Sequence, residues 1–271
     1  RASARPAVNR DKIMAHRLRP CFPSDPFEVV PLTDAMVVTP LPMFEVAWRV
    51  ARRLPKTELH LHLDGSLPLD FISRRAAARG VRCPPPVYLR SFLHAKKSAT
   101  FQANPNNQIA AGQNWGVYDW CNQFLQSAEE LHEATALLLS ERAAESVVHC
   151  EVRFCPALHT REGLSEADAV AAVCGGLQSA LEAANPPGSL SGGVIITALR
   201  SLPSDHSLEM AKLAERFLWK GVVGFDIAGD EGSFPLHLHT TAICYAKEHG
   251  VPVTVHAGEW TEGTLGNVEL A

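Results

Sequence analysis

Thr57-Glu58-Leu59-His60-Leu61-His62-Leu63-Asp64-Gly65 is the stretch on which the reading of this chain turns. Polar and apolar residues alternate with the period of a β-strand, in which successive side chains point to opposite faces. His60 and His62 therefore project from one face, about 7 Å apart along the strand. From that separation two imidazoles can converge on one metal ion. A second strand-like run, Val251-Pro252-Val253-Thr254-Val255, leads into His256-Ala257-Gly258-Glu259. It supplies a third imidazole and, three residues later, a carboxylate. Three nitrogen ligands and a free carboxylate are what a zinc hydrolase needs. His237-Leu238-His239 has the same spacing but lies in a helix-like run, where residues two apart face different ways.

The 271 residues are 46% hydrophobic and 20% charged, an ordinary globular composition. A formal net charge of -4 and a pI near 6.3 give no reason to expect nucleic acid or an anionic membrane as partner. No run of 18 apolar residues is present, so no membrane-spanning helix is expected. The seven cysteines are odd in number and contain no C-x-x-C pair. Free thiols in a reducing compartment fit better than a disulfide framework. The missing pair also argues against the zinc site of cytidine deaminases.

Residues 1–53 read as a leader. Arg1 to Pro20 holds six basic residues and one acidic residue, Asp11, and Pro recurs from Pro20 to Pro42. The chain starts with Arg, and Met14, Met36 and Met43 are candidate starts. An acid-poor, Arg-containing leader fits an organelle transit peptide. An unstructured leader, or sequence upstream of the real start, is the favoured reading, with a cytoplasmic location.

From Leu54 strands and helices alternate. Strands are expected at Thr57–Leu63, Val147–Cys155, Gly193–Leu199, Val222–Ala228 and Val251–Val255. Helices are expected at Leu69–Arg79, Trp115–Ala144, Glu166–Ala184, Ser207–Leu218 and Leu236–His249, with Gly80, Gly221 and Gly250 as C-terminal caps. Residues Cys83 to Asn114 are expected to form short helices or loops over a site. Repeated βα units give a parallel sheet with crossover helices. The informative residues all fall at strand C-termini, and a barrel gathers such residues into one mouth. The fold class expected is α/β, of the (β/α)8 barrel type. Glu151 and Arg153, on one face of the second strand, are expected to form a structural charged pair or network. The cluster Trp115, Tyr118, Trp120, Phe124 is expected to be packing.

The run Leu54-Pro55-Lys56-Thr57-Glu58-Leu59-His60-Leu61-His62-Leu63-Asp64-Gly65-Ser66-Leu67 resembles the opening strand of the adenosine deaminase family. His256-Ala257-Gly258-Glu259, Gly224-Phe225-Asp226-Ile227-Ala228-Gly229-Asp230-Glu231 and Glu151-Val152-Arg153-Phe154 resemble later motifs of that family, in its order. The resemblance runs from about Leu54 to the last residue. It implies a barrel, one Zn2+ held by His60, His62 and His256, and Glu259 as general acid/base. It implies that Asp64 contacts the ribose hydroxyl, that the Gly229 N–H meets a purine nitrogen, and that His62 also lines the substrate site. Asp226 is assigned support rather than chemistry, and Asp230 and Glu231 a role in shaping their loop. The implied reaction is hydrolytic deamination of adenosine to inosine, with a small-molecule purine nucleoside as partner and neither nucleic acid nor membrane. Relatives acting on free adenine carry Glu at the Asp64 position, and those acting on methylated nucleotides carry Asn. An adenine or N6-substituted adenylate deaminase and a non-catalytic barrel fragment are the rival readings.

Eight strands are expected of such a barrel, and five are read. The family's later part, with a histidine in a G-H-G context and an aspartate pair that gives the last metal ligand, has no counterpart up to Ala271. A partial record or a truncated paralogue is expected, and poor catalysis by these 271 residues alone.

Overall fold

The computed structural model describes residues 42–85, 87–90, 93, 117–259 and 264–271. Its five strands are β1 (Lys56–His62), β2 (Val147–Phe154), β3 (Ser191–Leu199), β4 (Val222–Ala228) and β5 (Val253–Val255). They pair in parallel, in the order β1-β2-β3-β4-β5. An open doubly wound sheet reverses its strand order part-way; here the order never reverses. Right-handed crossovers that always step in one direction leave every helix on one face.

That sheet is curled. Flat, it would hold β1 and β5 about 19 Å apart across four intervals. Instead the ring nitrogens of His60 on β1 and His256 after β5 lie 2.9 Å apart. This half-barrel agrees with the expected fold class.

The helices that cover the outer face include α2 (Leu69–Ala78), α3 (Val117–Asn122), α4 (Ala128–Ala144), α5 (Glu166–Ala183), α6 (Ser204–Phe217) and α7 (Thr240–Glu248). The core lies between them and the outward residues Val152, Phe154, Val194, Ile196, Phe225 and Ile227. The alternate residues face inward in register: Arg153 beside Ile195, and Thr197 beside Asp226 beside Thr254. Helices α4 and α5 pack tightly at Gly176, where an added Cβ would stand 2.4 Å from the His132 carbonyl oxygen.

Several expectations change. The single helix foreseen over Trp115–Ala144 is two helices, because Ser127 and Glu130 form a capping box that starts α4 afresh. The run Leu236–His249 opens with a 3-10 turn, Leu236–His239, before α7. Gly80 and Gly250 follow their helices at φ +63 and +71. Gly221 is not a cap: α6 ends at Phe217, and Trp219 takes the left-handed conformation instead. Gly221 is needed because a Cβ there would meet Cys174 Sγ at 2.8 Å. Within the expected leader, α1 (Pro42–Arg53) is helical, with Trp48 and Val50 more than half exposed. Residues 1–41, most of the segment Cys83 to Asn114, and Trp115 lie outside the described residues. Phe124 is buried, with the Trp120 ring packed edge-on at 5.1 Å. Among the described residues no disulfide forms, and no helix is long and apolar enough to cross a membrane.

His159 ends a short turn after β2, fully buried against Phe154. Its Nδ1–H donates to the Leu125 carbonyl at 2.9 Å, and its Nε2 has no partner among the described residues. Burial pushes its pKa down from 6.5 to about 4. The unfolded chain therefore takes up the proton first, and stability falls as pH drops from about 6.5 toward 4. Urea unfolding should show a loss of about 2 kcal/mol between pH 7 and pH 5 attributable to this group. His159→Phe should flatten the dependence by that amount; an unchanged slope would refute it.

Candidate metal centre and active site

Strand β1 presents its histidines through an irregularity. Glu58 pairs with Cys150 and Leu61 with Val152, so β1 carries one extra residue there. The His60 N–H leaves the ladder and donates to Glu58 Oε1 at 3.1 Å. His60 and His62 still share the inner face, because they lie two residues apart beyond Leu59. His256 follows β5, and its own N–H continues the ladder to the Ile227 carbonyl at 3.0 Å.

The three Nε2 atoms converge. They are separated by 3.3 Å between His60 and His62, 2.9 Å between His60 and His256, and 3.1 Å between His62 and His256. Tetrahedral ligands at about 2.0 Å from a zinc ion stand about 3.3 Å apart. The donor set therefore fits one such ion with little adjustment. It is the sole cluster of three or more His, Cys, Asp or Glu able to hold a metal among the described residues. Burial, with the neighbouring His256, pushes the His62 pKa down to about 4. Burial and the Arg153 charge also lower that of His60. Both effects favour the neutral imidazole, the form that ligates metal.

Asp226 lies behind His256. The His256 Nδ1 stands 3.1 Å from its Oδ1 and 3.0 Å from its Oδ2. A proton held on Nδ1 by this carboxylate leaves Nε2 free as a donor atom. Asp226 also accepts from Arg153 Nη1 at 3.1 Å and Thr197 Oγ1 at 3.3 Å. Burial alone would raise its carboxyl pKa, but the His256 bond and the His256 and Arg153 charges hold it below the usual carboxylate range. The expected pairing of Glu151 with Arg153 does not form. Arg153 reaches across the sheet to Asp226 and to the Leu59 carbonyl at 2.8 Å, while Glu151 Oε1 lies 3.5 Å from His149. An arginine side chain can span from β2 to β4, and the buried Asp226 is the stronger acceptor.

Asp64 is buried just past β1. Burial pushes its pKa up to about 6, against the Asn122 amide and backbone N–H groups that favour the carboxylate. Asn122 Nδ2 lies 3.5 Å from Asp64 Oδ2. Burial also pushes the nearby Tyr118 up to about 12, with the Asp64 and Glu259 charges adding to the effect. Tyr118 thus lies within electrostatic reach of both Asp64 and Glu259.

Gly229 directly follows β4 at φ +108, a conformation that excludes most side chains. Asp230 Oδ1 accepts from the Gly232 and Ser233 N–H groups at 3.1 Å, holding the turn. Glu231 Oε2 accepts from Gly258 N–H and from Asn267 Nδ2, both at 3.1 Å. Glu259 follows Gly258 and is exposed, outside the histidine cluster. Reading the sequence missed Thr197 and Arg200. A lone Thr or Arg carries no motif; the signal available was that Thr197 interrupts, and Arg200 ends, an otherwise apolar run. His237 and His239 stay apart from the cluster; His239 bonds Ser207 Oγ at 2.8 Å.

Asp226→Asn should loosen the site and the sheet together. It leaves Arg153 buried without its counter-ion, a change worth about 3–5 kcal/mol of stability. Chemical denaturation of the variant should show a loss of that size. A loss below about 1 kcal/mol would mean that the pair adds little.

Residues 55–265 match the profile of the family described as adenosine deaminase. Curated relatives include an adenosine deaminase of Clostridium kluyveri, 28% identical over 78% of this chain and 58% of its own length. One from Clostridium botulinum (strain Okra / Type B1) is 32% identical over 77% of this chain and 59% of its own length. Among solved structures, an Arabidopsis N6-mAMP deaminase superposes with a TM-score of 0.63 at 21% identity, covering 82% of this chain and 64% of the other. A Burkholderia ambifaria amidohydrolase with bound Zn gives 0.65 at 24% identity, covering 89% and 59%. These last two likenesses speak for the fold. The chain spans a little under three fifths of the length of the curated relatives it matches. With the profile covering most of its length and the three histidines meeting at its strand ends, the chain belongs to the adenosine deaminase family.

Proposed function

We propose that the protein is a zinc-dependent aminohydrolase that converts adenosine and water to inosine and ammonia. The observation that carries this reading is the convergence of the His60, His62 and His256 nitrogens, with Asp226 fixing the His256 tautomer. Imidazole ligands and hydrolytic chemistry favour zinc, and the solved relative with bound Zn supports the choice. When bound, the ion would lower the pKa of a water at the site to about 7 and so supply a nucleophile at neutral pH.

The chain's own residues do the rest. His60, His62 and His256 would hold the ion through their Nε2 atoms. Glu259 takes the proton from the attacking water and delivers it to the purine ring nitrogen next to the carbon under attack. Asp64 accepts a ribose hydroxyl and orients the nucleoside. The Gly229 N–H, on a backbone bent at φ +108, offers a donor to the purine. His62 closes one wall of the substrate site.

Adenosine is preferred to adenine and to N6-substituted adenylates on the strength of Asp64. A carboxylate there takes a hydroxyl donor and repels a phosphate. Solved deaminases similar in fold include one complexed with IMP and an adenine deaminase from Arthrobacter aurescens. Adenosine, adenine and N6-methyl-AMP are therefore the substrates to compare.

His62→Ala should strip the ion from the purified protein, read by metal analysis. A stoichiometric metal retained by the His60→Ala, His62→Ala double variant would overturn the ligand assignment. For the substrate, Asp64→Ala in the full-length protein should cut kcat/KM for adenosine roughly ten- to hundredfold, the worth of a charged hydrogen bond of about 1.5–3 kcal/mol. Adenine turnover should change little. Equal losses on both substrates would mean that Asp64 only shapes the turn.

A further inference from the structure

We infer that Arg200 is the positioning residue of this site. Its guanidinium fixes the segment that carries both the third metal ligand and Glu259. Arg200 directly follows β3 and is fully buried, a rare place for a cation. One guanidinium nitrogen, Nη2, donates to the backbone carbonyl of His256. The other, Nη1, donates to the Phe234 carbonyl at 3.3 Å, in the loop after β4. Its backbone is anchored as well. The N–H donates to the Ala228 carbonyl at 2.9 Å, and the carbonyl accepts from His239 Nε2 at 3.2 Å.

The same segment is gripped from its other side. Gly258 N–H donates to Glu231, and Glu231 is held in turn by Asn267 on α8 (Leu265–Leu270). His256 to Gly258 is therefore clamped at a carbonyl by a buried cation and at an N–H by a buried carboxylate. Glu231, Asp226, Glu259 and Asp230 all act electrostatically on Arg200 and offset the cost of burying it.

Mere charge compensation would need only a cation. The two carbonyls lie on different segments, and a planar fork reaches both where an ammonium, a point charge, does not hold the same geometry. The clamp thus makes a claim that charge balance does not make: zinc affinity depends on the guanidinium shape.

This inference rests on the reading that the three histidines hold zinc, and the experiment separates the two. Zinc affinity is measured by competition with a chromophoric chelator for the full chain, for Arg200→Lys and Arg200→Gln, and for Arg79→Gln. Arg79 pairs with Glu130 at 2.8 Å and with Glu162, not with the histidine cluster, and serves as the stability control. Both Arg200 variants should bind zinc roughly ten- to a hundredfold more weakly, the usual effect of losing a group that orients a ligand. Arg79→Gln should lower the melting temperature and leave zinc affinity unchanged. A folded Arg200→Gln with wild-type affinity would overturn the inference alone. Should that variant fail to fold, Arg200→Lys decides by the same criterion: wild-type affinity overturns, a loss of tenfold or more supports. A wild-type chain that binds no zinc would overturn the functional reading together with this one.

Discussion

One buried carboxylate ties the five strands together. Asp226 on β4 accepts from Thr197 on β3, from Arg153 on β2 and from His256 after β5. Arg153 extends the link to the Leu59 carbonyl on β1. Asp226 is fully buried and Arg153 nearly so. An ion pair in such a place is not a strong source of net stability, since the desolvation of both groups largely cancels their attraction. Its value is geometric. Each partner can be satisfied in one arrangement of the strands, so the curl of the sheet and the tautomer of His256 are set together.

The same constraint explains the division of labour between the two faces. Outward side chains of β2, β3 and β4 are apolar and pack against the helices, and that burial drives folding. Among the inward side chains, Arg153, Thr197 and Asp226 are polar and buried. The inner face tolerates Arg153, Thr197 and Asp226 because they satisfy one another. Placing the histidines on β1 and beyond β5 makes the site depend on the curl, since neither strand holds three ligands alone.

The loops at the strand ends are fixed by backbone hydrogen bonds to buried side chains. Asp230 folds its own turn, Glu231 holds Gly258, and Arg200 holds His256. Gly258 lies at φ +71, so the chain turns sharply between ligand and carboxylate. The segment from His256 to Gly258 is thereby fixed by the neighbouring loops, and not by strand geometry alone.

Much was legible in the residues themselves. The alternation around His60 and His62 sets their common face, because side chains two apart on a strand share a side whatever the rest of the chain does. The βα alternation fixes a parallel sheet, because parallel neighbours need a crossover. The site motifs lie at strand C-termini for the same local reason. Other features have no local signature. The extra residue in β1, the break before Ser127, the reach of Arg153 past Glu151 to Asp226, and the burial of Arg200 all depend on what lies across the sheet. A long side chain chooses among acceptors by distance and burial, and those exist only once the strands have curled. Sequence by itself therefore determined which residues are candidate ligands and which face His60 and His62 occupy. Tertiary structure decided that His256 meets them within 3.3 Å, and which buried charges hold it there.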